Sequence, residues 1–106
     1  MNENTESVEI FKALSDDTRY KIFLVMARSG ERLCVNDIVK KLGISQPAVS
    51  QHLKILKSAG LADSSRVGHK IQYSINRDFV MRTLKKISLL VQPADQHGKE
   101  LIADAQ

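Results

Sequence analysis

Apolar positions recur at helical spacing in most of the chain and at alternating spacing in one short part. Residues 6–14 set Val8, Phe11 and Leu14 on one side of a first helix, preceded by a frayed 1–5. A second helix, from Asp16 to about Arg28, carries Ile22, Phe23, Val25 and Met26 inward; Ser15 is placed to cap it, and Ser29-Gly30 to end it. Residues 35–42 form a short third helix stopped by Gly43. A fourth runs from Ser45, a good N-cap, through Pro47 in the first turn, where its missing N–H costs nothing, to Gly60 at a left-handed C′ position. After Gly60 the period changes: 61–67 and 70–75 are β-favouring and roughly alternating around Gly68-His69, a hairpin. A last helix over 78–92 aligns Val80, Leu84, Ile87 and Val91, and Pro93 ends it.

The order is α-α-α-α-β-β-α, mainly α with a two-stranded β-hairpin. The third and fourth helices are separated only by Gly43-Ile44-Ser45, the spacing of a helix-turn-helix, and the hairpin behind them makes it a winged helix-turn-helix. Residues 1–92 form one domain, and 93–106 a polar C-terminal tail.

The fourth helix is two-faced. At about 100° per residue, Gln46, Ser50, Lys54 and Lys57 make one stripe, with Pro47, Gln51 and Ser58 beside it and Val49, Leu53 and Leu56 opposite. The stripe holds amides, a hydroxyl and ammonium groups but no carboxylate, so it can bond base edges and meet phosphates without repulsion. Gln46, Ser50 and Gln51 are the expected base readers. Ser45, Lys54, Arg66, His69 and Lys70 are the expected backbone or minor-groove contacts, the last three from the tip of the wing. A merely solvated helix face leaves the missing carboxylates and the adjacent basic wing unexplained.

Charge strengthens this picture. The net charge of the 106-residue chain is +4, but residues 20–86 hold 13 basic and 4 acidic side chains, while both ends are net acidic. A basic middle between acidic ends suits a phosphate partner. No apolar run approaches a membrane span, and the polar, acidic N-terminus does not read as a signal peptide. A single cysteine cannot form an internal disulfide, which fits a reducing, cytoplasmic setting. One cysteine, three scattered histidines and no Gly-rich phosphate loop argue against an enzyme and imply no cofactor. A winged helix that docks to protein remains an alternative; the basic wing speaks against it.

With A-L-S-D-D-T-R, L-C-V-N-D-I, S-Q-P-A-V-S-Q-H-L-K-I-L and the Gly-containing wing in this order, the chain resembles the ArsR/SmtB family over about residues 6–92. The resemblance implies a homodimeric repressor, joined through its first and last helices by Val8, Phe11, Val80, Leu84, Ile87 and Val91. It also implies a double-stranded operator with an inverted repeat, and release on a chemical signal.

The departures from the family pattern bear on that signal. Cys34 and Asp37 match one family sensor position, but Asn36 stands where arsenic-type members carry a second thiol. At the last-helix metal site, alignment through Tyr73 and Ile75 places Arg77, Phe79, Leu90 and Pro93, none of which can ligate Zn²⁺. Three readings of Cys34 stay open: ligand with Asp37 in a thiol- or metal-responsive sensor, redox thiol, or small apolar residue at a helix start. His52 lies within the apolar arc of the fourth helix and is expected beneath it, bonded within the domain; His69 is expected exposed at the wing, and His97 in the tail.

Overall fold

The computed structural model describes residues 3–93, and its elements are α1 (Glu3–Leu14), α2 (Asp17–Ser29), β1 (Leu33–Cys34), α3 (Val35–Leu42), α4 (Gln46–Ser58), β2 (Ala62–Val67), β3 (Lys70–Ile75) and α5 (Arg77–Leu90). The tail beyond Pro93, with His97, lies outside the described residues. The helical order, the hairpin and the winged helix-turn-helix are those read from the sequence. Three local features differ.

The first helix starts at Glu3 rather than Glu6. Residues 3–5 contain no breaker, and a polar first turn leaves no apolar period to mark it. Asp16, not Ser15, caps α2: its Oδ2 accepts the Arg19 N–H at 2.9 Å. Ser15 turns the other way, donating its hydroxyl to the Lys12 carbonyl at 2.7 Å and closing α1. The third difference is a strand. The wing is not a lone hairpin, because Leu33–Cys34 adds β1 to its edge in an antiparallel sheet of order β1-β3-β2, with Leu33 opposite Tyr73 and Cys34 opposite Gln72. A third strand matters physically, since an isolated two-stranded hairpin is marginal in water.

The core lies where α2, α3 and α4 meet the base of the sheet. Ile22, Met26, Ile38, Val49, Leu53, Leu56 and Leu61 are its largest fully buried side chains, and Leu33, Ala62 and Tyr73 extend it to the strands. α4 ends in a Schellman motif: Leu61 N–H reaches the Leu56 carbonyl at 3.0 Å and Gly60 N–H the Lys57 carbonyl at 3.0 Å. The apolar pair that accompanies this motif is Leu56 with Leu61, both buried. Gly60 has φ +86°, and a Cβ there would lie 2.9 Å from Phe79 Cε2, so the C′ residue of the fourth helix is held small by the fifth.

α5 is joined more lightly. Asn76 caps it, accepting the Phe79 N–H at 3.2 Å, and the Asn76 N–H binds the Leu61 carbonyl at 2.9 Å. Phe79 and Val80 pack on the core, yet Thr83 is the helix's one buried residue. No helix among the described residues is long and apolar enough to cross a membrane.

Candidate nucleic-acid interface

α4 is anchored from below and capped at its tip. Val49, Leu53 and Leu56 are 0% exposed, which fixes the rotation of α4 and turns Gln46, Pro47, Gln51, Lys54 and Lys57 to solvent. Ser50, expected among the base readers, is half-buried. Ser45 is exposed, and its Oγ accepts the Ala48 N–H at 3.3 Å, which leaves its hydroxyl proton free to donate outward. The first turn carries no acidic residue, and the positive end of the helix dipole therefore faces an incoming phosphate or base edge unopposed.

The wing projects beside this face. Pairing of Val67 with Lys70 leaves Gly68-His69 as a two-residue loop. Gly68 has φ +62° and His69 has no positive φ, the pattern of a type II′ hairpin turn with glycine at its first central position. Arg66, His69 and Lys70 are all exposed there. The stem is fastened by two contacts that local sequence patterns did not reveal. Lys57 Nζ donates to Ser64 Oγ at 2.6 Å, joining the end of α4 to β2. Arg32 Nη1 donates to Ser65 Oγ at 3.0 Å. Lys57, in the polar stripe by its phase, is thus a strut between helix and wing as well as a surface cation.

Behind α4, His52 is half-buried as its place in the apolar arc implied. Its Nδ1 accepts from Arg19 Nη1 at 3.2 Å, and its Nε2 lies 3.9 Å from Asp16 Oδ2. Arg19 also donates from Nε to the Ala13 carbonyl and from Nη2 to the Lys12 carbonyl at 3.4 Å. One guanidinium therefore ties the end of α1 to the back of α4. The Arg19 backbone N–H, with the positive charge of the Arg19 side chain, holds the Asp16 carboxyl below its ordinary range.

Comparison with known proteins decides what this geometry belongs to. Residues 16–64 match the model of the bacterial regulatory protein arsR family. A cadmium resistance transcriptional regulatory protein CadC homolog from Staphylococcus aureus is 40% identical over 81 residues, 76% of this chain and 66% of that protein. A transcriptional repressor SmtB homolog from Synechocystis sp. is 32% identical over 95 residues, 90% of this chain and 70% of that protein. The chain belongs to the ArsR family. Among solved structures, an ArsR-like transcriptional regulator from Rhodococcus sp. RHA1 superposes with a TM-score of 0.73 at 28% identity, over 80% of this chain and 78% of that one. This ArsR-family protein is a DNA-binding transcriptional regulator, and not an enzyme.

The positions at which family resemblance placed a sensor look different in this ArsR-family regulator. Cys34 is half-buried at the N-terminus of α3. Asp37 Oδ2 accepts both the Cys34 N–H at 2.9 Å and the Cys34 S–H at 3.1 Å, and these bonds hold the Asp37 carboxyl below its ordinary range. The pair serves as the start of a helix. Among the described residues no group of three or more His, Cys, Asp or Glu side chains is placed to hold a metal ion. Arg77 donates from Nη2 to the Ala27 carbonyl at 2.9 Å, clasping the start of α5 to the end of α2. Phe79 packs over Gly60, while Leu90 and Pro93 are exposed.

The residues expected at a subunit interface divide in two. Phe11 (57% exposed), Leu84 (53%) and Val91 (76%) stand in solvent, as does Val8. Val80 and Ile87 are half-buried, Val80 against the protein's own core. Met81 and Leu90, which the heptad-like spacing did not select, add to the exposed apolar surface. Lys86 Nζ lies 3.8 Å from Glu6 Oε2, an ion pair that links α1 to α5.

Proposed function

We propose that this regulator is a homodimeric repressor that binds an inverted-repeat operator in the cytoplasm, with residues 1–92 as its DNA-binding and dimerisation domain. Gln46, Ser50 and Gln51 read base edges in the major groove; Lys54, Ser45 and the wing residues Arg66, His69 and Lys70 hold backbone or the adjacent minor groove. The observation that carries the reading is the α4 face: it is fixed in rotation by three fully buried residues, capped at its tip, free of carboxylates, and flanked by a basic wing. A second copy docks on the α1–α5 surface through Val8, Phe11, Leu84, Ile87 and Val91, with Val80 at its inner edge. Two reading helices then meet two half-sites related by the same twofold axis.

The test is a titration of the full chain on genomic fragments across a salt series. A preferred fragment with an inverted repeat is expected, and log K should fall linearly and steeply with log salt, since each neutralised phosphate contributes about −0.9 to the slope on duplex DNA. Equal affinity for every fragment at all salt concentrations would refute the sequence-specific claim.

A further inference from the structure

An open groove of about 360 Å³ runs between α2 and α3, away from the reading face, and its size is at the lower end of small-molecule sites. Its floor is aliphatic: Leu24, Val25 and Leu42, all half-buried. Its mouth is cationic: Lys21, Arg28 and Lys41. No carboxylate lines it. Lys21 is paired with Asp17 at 3.1 Å, but Arg28 and Lys41 make no hydrogen bond or ion pair among the described residues. Both stand in the last turns of their helices, where a cation is favoured by the dipole. The dipole explains the charges but not the half-buried aliphatic floor beside them, of which Val25 and Leu42 also pack on the core.

We propose that this groove binds a medium-chain aliphatic carboxylate, its chain lying on Leu24, Val25 and Leu42 and its head group bonded between Arg28 and Lys41. The apolar floor removes the chain from water, and two unpaired cations supply the charge-assisted hydrogen bonds a carboxylate needs. α2 and α3 both pack on α4, so an occupant that alters their spacing has a direct route to the reading helix. That regulatory consequence rests on the DNA-reading function; binding to the groove does not.

The experiment is an amide and methyl NMR titration of the full chain, without DNA, using octanoate, with octanol as the neutral analogue. Saturable shifts at Leu24, Val25 and Leu42 are expected from octanoate. Octanol, and octanoate on the Arg28→Gln/Lys41→Gln double variant, should each bind about tenfold more weakly, the scale of losing a charged hydrogen bond. Both replaced side chains are exposed, and an unchanged spectrum elsewhere verifies the variant's fold. No saturable shift, equal affinity in the double variant, or shifts confined to Val8, Phe11, Leu84 and Val91 would overturn the proposal. So would displacement of octanoate by a short duplex of random sequence, which would make the rim a phosphate contact. Absent operator binding with octanoate binding intact would instead overturn the DNA-reading proposal alone.

Discussion

α4 and α5 are both amphipathic helices of similar length, and the molecule treats them in opposite ways. The apolar side of α4 is finished within the chain: Val49, Leu53 and Leu56 are fully buried. The apolar side of α5 is left open, with Met81, Leu84, Leu90 and Val91 exposed and only Thr83 buried. Amphipathic spacing reports that a helix has an apolar side; it does not report whether the partner for that side is in the same chain. Here the difference separates a helix whose apolar side is closed within the chain from one whose apolar side is open, the side on which the proposed second copy would dock.

The sharpest way to break this contrast is Leu84→Asp. A carboxylate in the middle of the α1–α5 surface should yield monomers by light scattering and abolish operator binding, because a single half-site contact loses the second reading helix. A variant that remained dimeric would show that α5 is open for another reason, and a monomer that still bound the operator with wild-type affinity would show that DNA binding does not need the second copy. Next in size is Leu53→Ala. It leaves a cavity under the reading helix and should lower stability by about 2–5 kcal/mol in urea unfolding. Leu84→Ala, on the open helix, should cost the isolated subunit no more than about 0.5 kcal/mol. Equal losses at the two positions would contradict the division between a closed and an open helix.

The same contrast explains what could be read from the sequence. Ser45, Pro47 and Gly60 mark α4 through bonds within a few residues, so its ends and its phase were visible. His52 was placed beneath the helix by phase alone. What escaped was long-range. β1 has two residues, too few for a period, and exists because Leu33 and Cys34 meet Tyr73 and Gln72. Arg19 with His52, and Arg32 with Ser65, are partners 33 residues apart and leave no local trace. Asp16 took the cap expected of Ser15 because either residue can serve chemically, and Ser15 was drawn to the Lys12 carbonyl instead. On α5 the spacing picked Val80 and Ile87 as interface residues. It could not foresee that the contacts of Phe79 and Arg77 would turn Val80 inward and bring Met81 and Leu90 out.

Within the reading surface, helix and wing should separate by the kind of affinity they supply. Gln51→Ala, on the exposed face of α4, should cost about 1–3 kcal/mol on the specific site and much less on random duplex. Ser50→Ala should cost less than Gln51→Ala, since Ser50 is half-buried. Lys70→Ala should weaken both DNAs alike and make the salt slope shallower by about 1. Fluorescence anisotropy on both duplexes at several salt concentrations measures all three. Identical losses on specific and random DNA for Gln51→Ala would remove α4 as the base reader.

The smallest effect expected distinguishes the helix starts. α4 is capped by a serine, which does not titrate in acid, whereas α2 and α3 are held at their starts by Asp16 and Asp37. Both carboxyls are held below their ordinary range, chiefly by the backbone N–H groups they accept, from Arg19 and Cys34 respectively. A depressed carboxyl binds fewer protons in the folded than in the unfolded chain. Its contribution is therefore complete above the unfolded value of about 3.9 and is lost as pH falls through the lower folded value. Acid should thus loosen the starts of α2 and α3 while the Ser45 cap of α4 persists. Asp16→Asn and Asp37→Asn keep an acceptor oxygen at each cap but cannot titrate. Urea unfolding below about pH 5 should show a shallower acid loss for each variant than for the wild type. Curves that run parallel to the wild type would mean that these two caps do not set the acid limb, and that other carboxylates carry it.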